Sequence, residues 1–287
     1  MAGWMAQPIA WFQPRSLDEA IDVLSARGDE ARVIAGGTAL TIMLRQGLVR
    51  PEALVSLGGL PGLSTIERND GELVLGALAT HRQVELSQTV RESVPVVAST
   101  FGKVANVRVR HAATVGGVLA EADYASDPPA VFLALDAQVE VHGPAGRRSI
   151  PINEFFRGFY ETSLEPGEIV TGVRVPVPKP GTRAVYEKYV TRSSEDRPCL
   201  GVIAVVEPDG QLRVAVGAVA ETPQRFPEVE ALARGRPLDE RVMQEVAEGY
   251  ADRIEPLSDM RGSAWYRTEM IRVWVRRAIE HARAMTA

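Results

Sequence analysis

Two pairs of adjacent glycines constrain the fold of this chain more than any other feature of its sequence. Gly36-Gly37 follows the apolar run Val33-Ile34-Ala35, which is typical of a short buried strand. Gly116-Gly117 follows the β-branched pair Thr114-Val115. Glycine tolerates positive φ and lets a backbone come close to a ligand, so successive N–H groups there can bind a phosphate. Two such loops could hold one pyrophosphate from both sides.

Neither pair belongs to a common nucleotide-binding motif. The flanking residues do not form G-x-G-x-x-G, and no lysine follows Gly36-Gly37 at the place that a P-loop requires. These residues therefore argue against an ordinary Rossmann or ATPase site. A simple turn is the commoner explanation for a single glycine pair, so the turn and the phosphate cradle are both open on these residues alone.

The composition indicates a folded protein with substantial cores. The chain has 287 residues, of which 45% are hydrophobic and 24% charged, and this length suits two domains. The net charge of -5 is mild, and no run of lysine or arginine could follow a phosphate backbone. We therefore expect no nucleic-acid partner.

The single cysteine, Cys199, limits the redox chemistry of this chain. One thiol excludes an intramolecular disulfide, and it excludes an iron–sulfur cluster or a cysteine-rich zinc site held by this chain alone. The first residues lack the basic and apolar segments of a secretory signal, and no apolar run approaches the ~18 residues of a membrane span. The sequence therefore predicts a cytoplasmic protein without a membrane span.

The order of apolar and polar segments predicts an α+β fold in two parts. Apolar runs at 32–35 and 52–57 flank a short helix from Thr38 to about Gly47, which makes a small βαβ unit. Prolines and a glycine in "PVPKPGT" predict a linker from about Pro176 to Pro180. Beyond this linker the patterns predict a hairpin turning at Pro208-Asp209-Gly210 and helices at 238–253 and 263–285.

Four segments, in order, carry a resemblance to a known family: "VIAGGTAL", "VRHAATVGGVLAEADYASDPPAVFLALDAQVEV", "INEFFRGFYETSLEPGEIVTGVRVP" and "DMRGSAWYR". The chain resembles the FAD-binding medium subunit of the xanthine dehydrogenase and carbon monoxide dehydrogenase group of molybdenum hydroxylases over essentially its whole length. The resemblance implies an α+β fold with a two-part PCMH-type FAD-binding domain at 1–177, divided into about 1–57 and 58–177. A smaller α+β C-terminal domain, an antiparallel sheet with helices, follows at 181–287.

By this resemblance the protein is an electron-transfer subunit with FAD as its cofactor. Its partners are a molybdopterin-binding large subunit and a 2Fe–2S small subunit of the same complex, and electrons pass through FAD to an external acceptor. The flavin does the redox chemistry, and the protein supplies binding and electrostatics. Two alternatives are a self-contained FAD-dependent oxidoreductase of the same fold and a cofactor-free scaffold.

The resemblance also assigns cofactor contacts residue by residue. The backbone of Ala35 to Ala39 and of Thr114 to Gly117 holds the pyrophosphate, with the Thr38 and Thr114 hydroxyls as further donors. No catalytic or metal-binding residue is predicted. The predicted cofactor-binding set is Ile34, Ala35, Gly36, Gly37, Thr38, Ala39, Leu40, Val104, Thr114, Val115, Gly116, Gly117, Asp127, Ile169, Val170 and Lys188.

Some members of this set have a structural alternative. Asp127 either binds the ribityl or adenosine part of FAD or caps a helix that begins at Pro128-Pro129. Ile169 or Val170 either packs against the flavin ring or belongs to the core of a strand. Lys188 either lies beside the isoalloxazine, where its charge could stabilise the anionic reduced flavin, or is a solvated strand lysine.

The chain departs from the family pattern at two positions near the second glycine pair. Arg110-His111 replaces the usual Arg-Asn, and we expect His111 to be a surface residue and not a catalytic one. Val118 occupies a position where the family often carries Asn or Asp, which removes one polar contact to the cofactor.

Overall fold

The computed structural model describes residues 8–285. Residues 1–7, the start of the segment searched for a secretory signal, and residues 286–287 lie outside this part, so the outer limits of the two predicted domains are not described. No helix between residues 8 and 285 is both long enough and apolar enough to cross a bilayer. The fold is α+β, as predicted.

The first unit is the predicted βαβ arrangement, built on a three-stranded parallel sheet. The sheet order is β1-β3-β2, and α1 buries Ala20, Ile21 and Leu24 against it. Helix α1 begins after Ser16, whose side chain accepts from the Glu19 amide. The elements are β1 (Ala10–Phe12), α1 (Leu17–Arg27), a 3-10 turn (Gly28–Glu30), β2 (Ala31–Ile34), α2 (Leu40–Gln46) and β3 (Ala53–Ser56).

The second unit combines a five-stranded antiparallel sheet, in the order β4-β5-β10-β6-β7, with short helices and a small hairpin, β8-β9. Its first elements are β4 (Ile66–Asn69), β5 (Glu72–Gly76), α3 (His81–Leu86), α4 (Gln88–Ser93), α5 (Pro95–Gly102), α6 (Val107–Ala112), α7 (Val115–Glu121) and α8 (Pro128–Ala134). Then follow β6 (Gln138–Gly143), β7 (Gly146–Pro151), α9 (Ile152–Phe155), β8 (Phe156–Gly158), β9 (Glu161–Thr162) and β10 (Ile169–Pro176).

The third unit follows an irregular connection at 177–182, where the linker was predicted. The predicted hairpin and both long helices are confirmed. The strands form an antiparallel sheet in the order β11-β12-β13. The elements are β11 (Arg183–Tyr189), β12 (Leu200–Val206), β13 (Leu212–Gly217), α10 (Pro227–Glu230), a 3-10 turn (Ala231–Ala233), α11 (Glu240–Arg253) and α12 (Ala264–Ala284).

Strand β12 joins the last two units because both of its faces are apolar. Ile203 and Val205 point into the core of the second unit, whereas Val202 and Ala204 pack in the core formed with α11 and α12. Successive strand residues face opposite sides of a sheet, so this alternation follows from the strand period. The C-terminal sheet is therefore buried between its own helices and the FAD-binding region predicted from sequence.

Candidate cofactor-binding site

The two glycine pairs lie next to each other. A Cβ atom built on Gly36 would stand 1.8 Å from the carbonyl oxygen of Ala112, and 3.2 Å from Cα of Ala113. No side chain fits at such a distance from backbone, so only glycine allows the first loop to pack on the segment that leads into Thr114. The structure thus brings together two loops that the sequence separates by about 80 residues.

The first loop offers a row of free backbone amides. In residues 8–285 no hydrogen-bond acceptor is positioned for any amide from Ala35 to Leu40, and these residues are all half-buried. Gly37 has a φ of 68°, the left-handed conformation that glycine adopts without strain. The Thr38 hydroxyl likewise has no partner among the described residues. Such a row of N–H groups at a turn is the geometry that binds phosphate oxygens.

The second glycine pair corrects the symmetric cradle that the sequence suggested. Gly116 and Gly117 do not follow a strand; they lie in the first turn of α7, and neither has a positive φ. The amides of Val115 and Gly116 donate to the carbonyl oxygens of Ala79 and Ala77 at 3.0 and 2.8 Å. These amides satisfy the protein's own backbone, so they cannot form the predicted nest.

The Thr114 side chain takes up the next amide of the second loop. Its Oγ1 accepts from the Gly117 amide at 3.1 Å, which makes Thr114 the N-cap of α7. The hydroxyl proton of Thr114 has no acceptor among residues 8–285, so this O–H is what the second loop can still donate.

Close packing explains the glycines of the second pair. A Cβ on Gly116 would lie 2.6 Å from Cβ of Ala77, and a Cβ on Gly117 would lie 2.8 Å from Oγ1 of Thr114. Glycine at these positions lets α7 start directly against the end of β5 and leaves room for the cap. The second pair supports the site through packing.

His81 lies under the second loop and was not singled out from sequence. It is 2% exposed, its amide donates to the Ala113 carbonyl at 2.9 Å, and its ring meets Phe101 edge-on at 4.8 Å. Neither ring nitrogen has a hydrogen-bond partner among the described residues. Burial, with a smaller contribution from the Arg110 charge, lowers the pKa of His81 to about 4, so the ring is neutral near pH 7.

Asp127 and Lys188 form a buried ion pair between the second and third units. Lys188 Nζ lies 3.1 Å from one Asp127 oxygen, and the Tyr186 hydroxyl donates to the other at 2.7 Å. Burial raises the pKa of Asp127, and the Lys188 charge opposes that rise. Asp127 stands at the N-cap position of α8, as its structural alternative predicted, but its side chain makes no capping bond and pairs with Lys188 instead. Lys188 is buried, so the solvated alternative for it is wrong.

Lys103 and Arg110 are polar side chains that the predicted set omitted. Lys188 Nζ donates to the Lys103 carbonyl at 2.8 Å, and the Lys103 ammonium in return bonds the Tyr186 carbonyl. Arg110 bonds Glu85 and the carbonyls of Val104 and Ala105, which fixes a turn where Ala105 has a φ of 42°. Nothing in the sequence distinguishes Lys103 from a solvated lysine.

The remaining predicted residues occupy less specific surroundings. Ile169 and Val170, 2% and 5% exposed, belong to two different apolar cores, which is the strand-core alternative. Val104 is half-buried in the turn before α6, and Ile34 ends β2. His111 is exposed, as expected.

The "DMRGSAWYR" segment fixes the start of the last helix, α12. Ser263 caps α12, and Arg267, fully buried, bonds Asp259 at 2.7 Å, as does the Arg261 guanidinium. Bonds from the Arg261 amide and from Arg267 outweigh partial burial and lower the pKa of Asp259 to about 2. The carboxylate is therefore charged throughout the neutral range, and it anchors the start of α12.

The residues present at the first loop fit the pyrophosphate of FAD. A diphosphate needs several N–H or O–H donors in a sheltered place, and the amides of Ala35 to Leu40 with the Thr38 and Thr114 hydroxyls supply them. The side-chain-free surface of Gly36-Gly37 gives access to those donors.

Comparison with known proteins agrees with this geometry. The family described as "FAD binding domain in molybdopterin dehydrogenase" matches residues 7–178, and the "CO dehydrogenase flavoprotein C-terminal domain" matches residues 188–282. The carbon monoxide dehydrogenase medium chain of Afipia carboxidovorans is 32% identical over 278 residues, which cover 96% of each chain. This chain belongs to the FAD-binding medium subunits of the molybdenum hydroxylases.

Other members of the family show the same extent of similarity. The nicotine 6-hydroxylase medium subunit of Paenarthrobacter nicotinovorans is 32% identical, with 97% of this chain and 98% of its own length covered. A chain of carbon monoxide dehydrogenase from Hydrogenophaga pseudoflava, solved without the Mo-pyranopterin moiety, superposes with a TM-score of 0.94 at 32% identity over 99% of this chain and 100% of its own. This medium subunit is thus an FAD-dependent oxidoreductase component, and FAD is its cofactor.

Proposed function

We propose that this medium subunit passes electrons from iron–sulfur clusters on a partner subunit, through FAD, to an external acceptor. The observation that carries the proposal is the row of free amides at Ala35 to Leu40, held against Ala112 by Gly36. The partners that we infer are a 2Fe–2S small subunit and a molybdopterin-binding large subunit. A reducing compartment such as the cytoplasm suits a chain with a single, buried cysteine.

The residues of this chain bind and orient, and FAD when bound supplies the redox chemistry. The first loop holds the pyrophosphate, and the Thr114 hydroxyl adds a donor from the second. The Asp127–Lys188 pair fixes the third unit against the second. Because Asp127 already neutralises the Lys188 charge, we infer that Lys188 acts in the site mainly by position.

The electron source must lie on another chain. Iron–sulfur clusters need several thiolates, and this chain has only Cys199, which is buried. A self-contained flavoenzyme would also need an acid or base that can reach substrate. His81, which lies under the second loop, is neutral and enclosed by Phe101 and that loop, so it does not meet that need.

The cofactor part of the proposal is tested by a matched pair of glycine variants. Gly37 and Gly235 have φ values of 68° and 70°, and an added Cβ meets nothing closer than 3.4 Å at either. Alanine in this conformation costs about 1–2 kcal/mol at each site. We expect Gly37→Ala to weaken FAD binding at least ~5-fold by calorimetry, because relief of the strain distorts the loop. Gly235→Ala should bind FAD like the wild type; equal affinities for all three proteins would contradict the cradle.

The subunit part is tested by isolating the native protein through a tag on this chain. We expect copurifying chains that contain iron and molybdenum, together with the visible absorbance of FAD. Preparations that contain this chain alone and still turn over a substrate would show a self-contained flavoenzyme.

A further inference from the structure

The hairpin formed by β8 and β9 has an unusual tip. Its two connecting residues are Phe159 and Tyr160, whose exposed fractions are 45% and 49%. Two-residue hairpin connections favour Asn and Gly, since they require positive φ. Tyr160 nevertheless has a φ of 56°. The chain therefore combines a strained backbone with two solvent-exposed aromatic rings, and such strain is found where a segment has a function.

Contacts with two other segments hold this tip in place. The Phe159 ring meets the Tyr124 ring edge-on at 5.3 Å, and the Tyr160 amide donates to the Ala122 carbonyl at 3.2 Å. The Tyr124 hydroxyl donates to Asp259 at 2.9 Å. The segment that begins at Asp259 also carries Met260 and Trp265, which are 81% and 73% exposed. We call Phe159, Tyr160, Tyr124, Met260 and Trp265 the aromatic patch, in which Tyr124 links the hairpin tip to the segment that carries Met260 and Trp265.

The composition of the aromatic patch is that of a protein interface. Trp, Tyr, Phe and Met are enriched in the cores of interfaces, and a few such residues dominate binding energy. Clusters of exposed apolar side chains on a soluble protein mark contact sites. The bond from Tyr124 to Asp259 and the bond from the Tyr160 amide to Ala122 hold the Tyr124 ring and the hairpin backbone in place, which lowers the entropy lost on binding.

The charge around the aromatic patch is negative. The carboxylates of Glu161 and Glu221 both approach Gly158, next to the hairpin tip, and neither has an ion-pair partner in residues 8–285. Arg197 and Arg261, by contrast, are already paired with Asp123 and Asp259. Arg157, at the irregularity between Phe156 and Gly158, is the one basic residue of the hairpin strands. A basic surface would complement this arrangement.

We propose that the aromatic patch docks the iron–sulfur subunit through an apolar surface rimmed by Lys or Arg side chains. This rests on the function proposed above. Electron transfer weakens steeply with distance, so the subunit that donates electrons must lie near the flavin, whereas the molybdenum subunit need not. The aromatic patch begins at the end of α7, and this helix of seven residues places it about 10 Å from Thr114.

The test removes the aromatic rings without disturbing the hairpin. Asn tolerates the left-handed conformation, so Phe159→Asn/Tyr160→Asn keeps the turn. Leu232→Asn is the matched control, because Leu232 is 41% exposed and lies outside the aromatic patch.

Each tagged variant is isolated as the native complex, diluted and repurified, and iron is measured per FAD. We expect at least a ~10-fold loss of iron in the double variant, none in the control, and normal FAD content in both. Glu161→Lys/Glu221→Lys should also lose iron.

A photo-crosslinking residue in place of Tyr160 identifies the occupant. Crosslinks to the iron-containing chain support the proposal. Crosslinks to the molybdenum chain or to a second copy of this chain, or iron retention equal to that of the control, overturn it. A wild-type preparation without iron would overturn the proposed function itself. This result differs from failure of the docking proposal, because iron is then missing before any residue is substituted.

Discussion

The two glycine pairs look alike in sequence, yet the structure gives them different physical tasks. At the first pair, Gly37 adopts positive φ and the amides from Ala35 to Leu40 stay free. At the second, the amides of Val115 and Gly116 are bonded to Ala79 and Ala77. A glycine pair therefore indicates either an open row of donors or a close packing contact. The two are distinguished by what lies opposite the amides.

The contact between the loops is where this comparison predicts the largest effect. In Gly36→Val the added Cβ meets the Ala112 carbonyl, a backbone atom that cannot rotate away. The loops must separate, and we expect FAD affinity to fall at least ~1000-fold, or about 4 kcal/mol. Calorimetry with the folded variant measures this. Gly59→Val is the control, since a Cβ there meets nothing within 4 Å and φ is not positive. An affinity within twofold of the wild type would falsify the loop contact.

The stability of the region around His81, under the second glycine pair, should fall in acid. The folded-state pKa of His81 is about 4, against 6.5 for the ordinary ring, so the unfolded chain binds the proton more readily. Stability from this group is complete above pH 6.5 and is lost as pH falls through 4, by about 3 kcal/mol in total. The difference between the unfolding free energies at pH 7 and pH 4 measures this loss of stability, and His81→Phe should reduce the difference. The exposed His111→Phe is the control; an unchanged difference in His81→Phe would contradict the assignment.

Gly116→Ala tests whether the second pair acts by packing. Its Cβ would press on Ala77, and overpacking of this kind costs about 1–3 kcal/mol of unfolding free energy. FAD affinity of the folded variant should stay within about 3-fold of the wild type, because the Gly116 amide already bonds Ala77. Denaturant unfolding and calorimetry separate the two quantities. A large loss of affinity without loss of stability would return Gly116 to the role predicted from sequence.

Val118→Asn should have the smallest effect. Val118 is half-buried within α7, and its amide already donates to the Thr114 carbonyl at 3.1 Å. Asn and Val have similar helix propensities, so we expect stability within about 0.5 kcal/mol and FAD affinity within about twofold of the wild type. A clear gain in affinity would show that a polar side chain after the second glycine pair contacts the cofactor directly.

Much of the fold could be predicted because it depends on local patterns. The βαβ unit, the linker near Pro178, the hairpin at Pro208-Asp209-Gly210 and both long helices follow from residue periodicity and turn chemistry. The family was identified from ordered motifs, which the matches over 7–178 and 188–282 confirm. The individual cofactor contacts and the domain limits stay predictions.

The sequence by itself determined where backbone freedom is needed, which surfaces are apolar and that one cysteine cannot hold a cluster. Only the tertiary structure decided which amides are free, because the acceptors at Ala77 and Ala79 are far from Gly116 along the chain. It also decided that Asp127 and Lys188 pair, since Asp127 directly precedes α8 and Lys188 lies in β11, about 60 residues further along the chain. Hydrogen bonding and burial depend on neighbours in space, and a single sequence does not state which distant segments become neighbours.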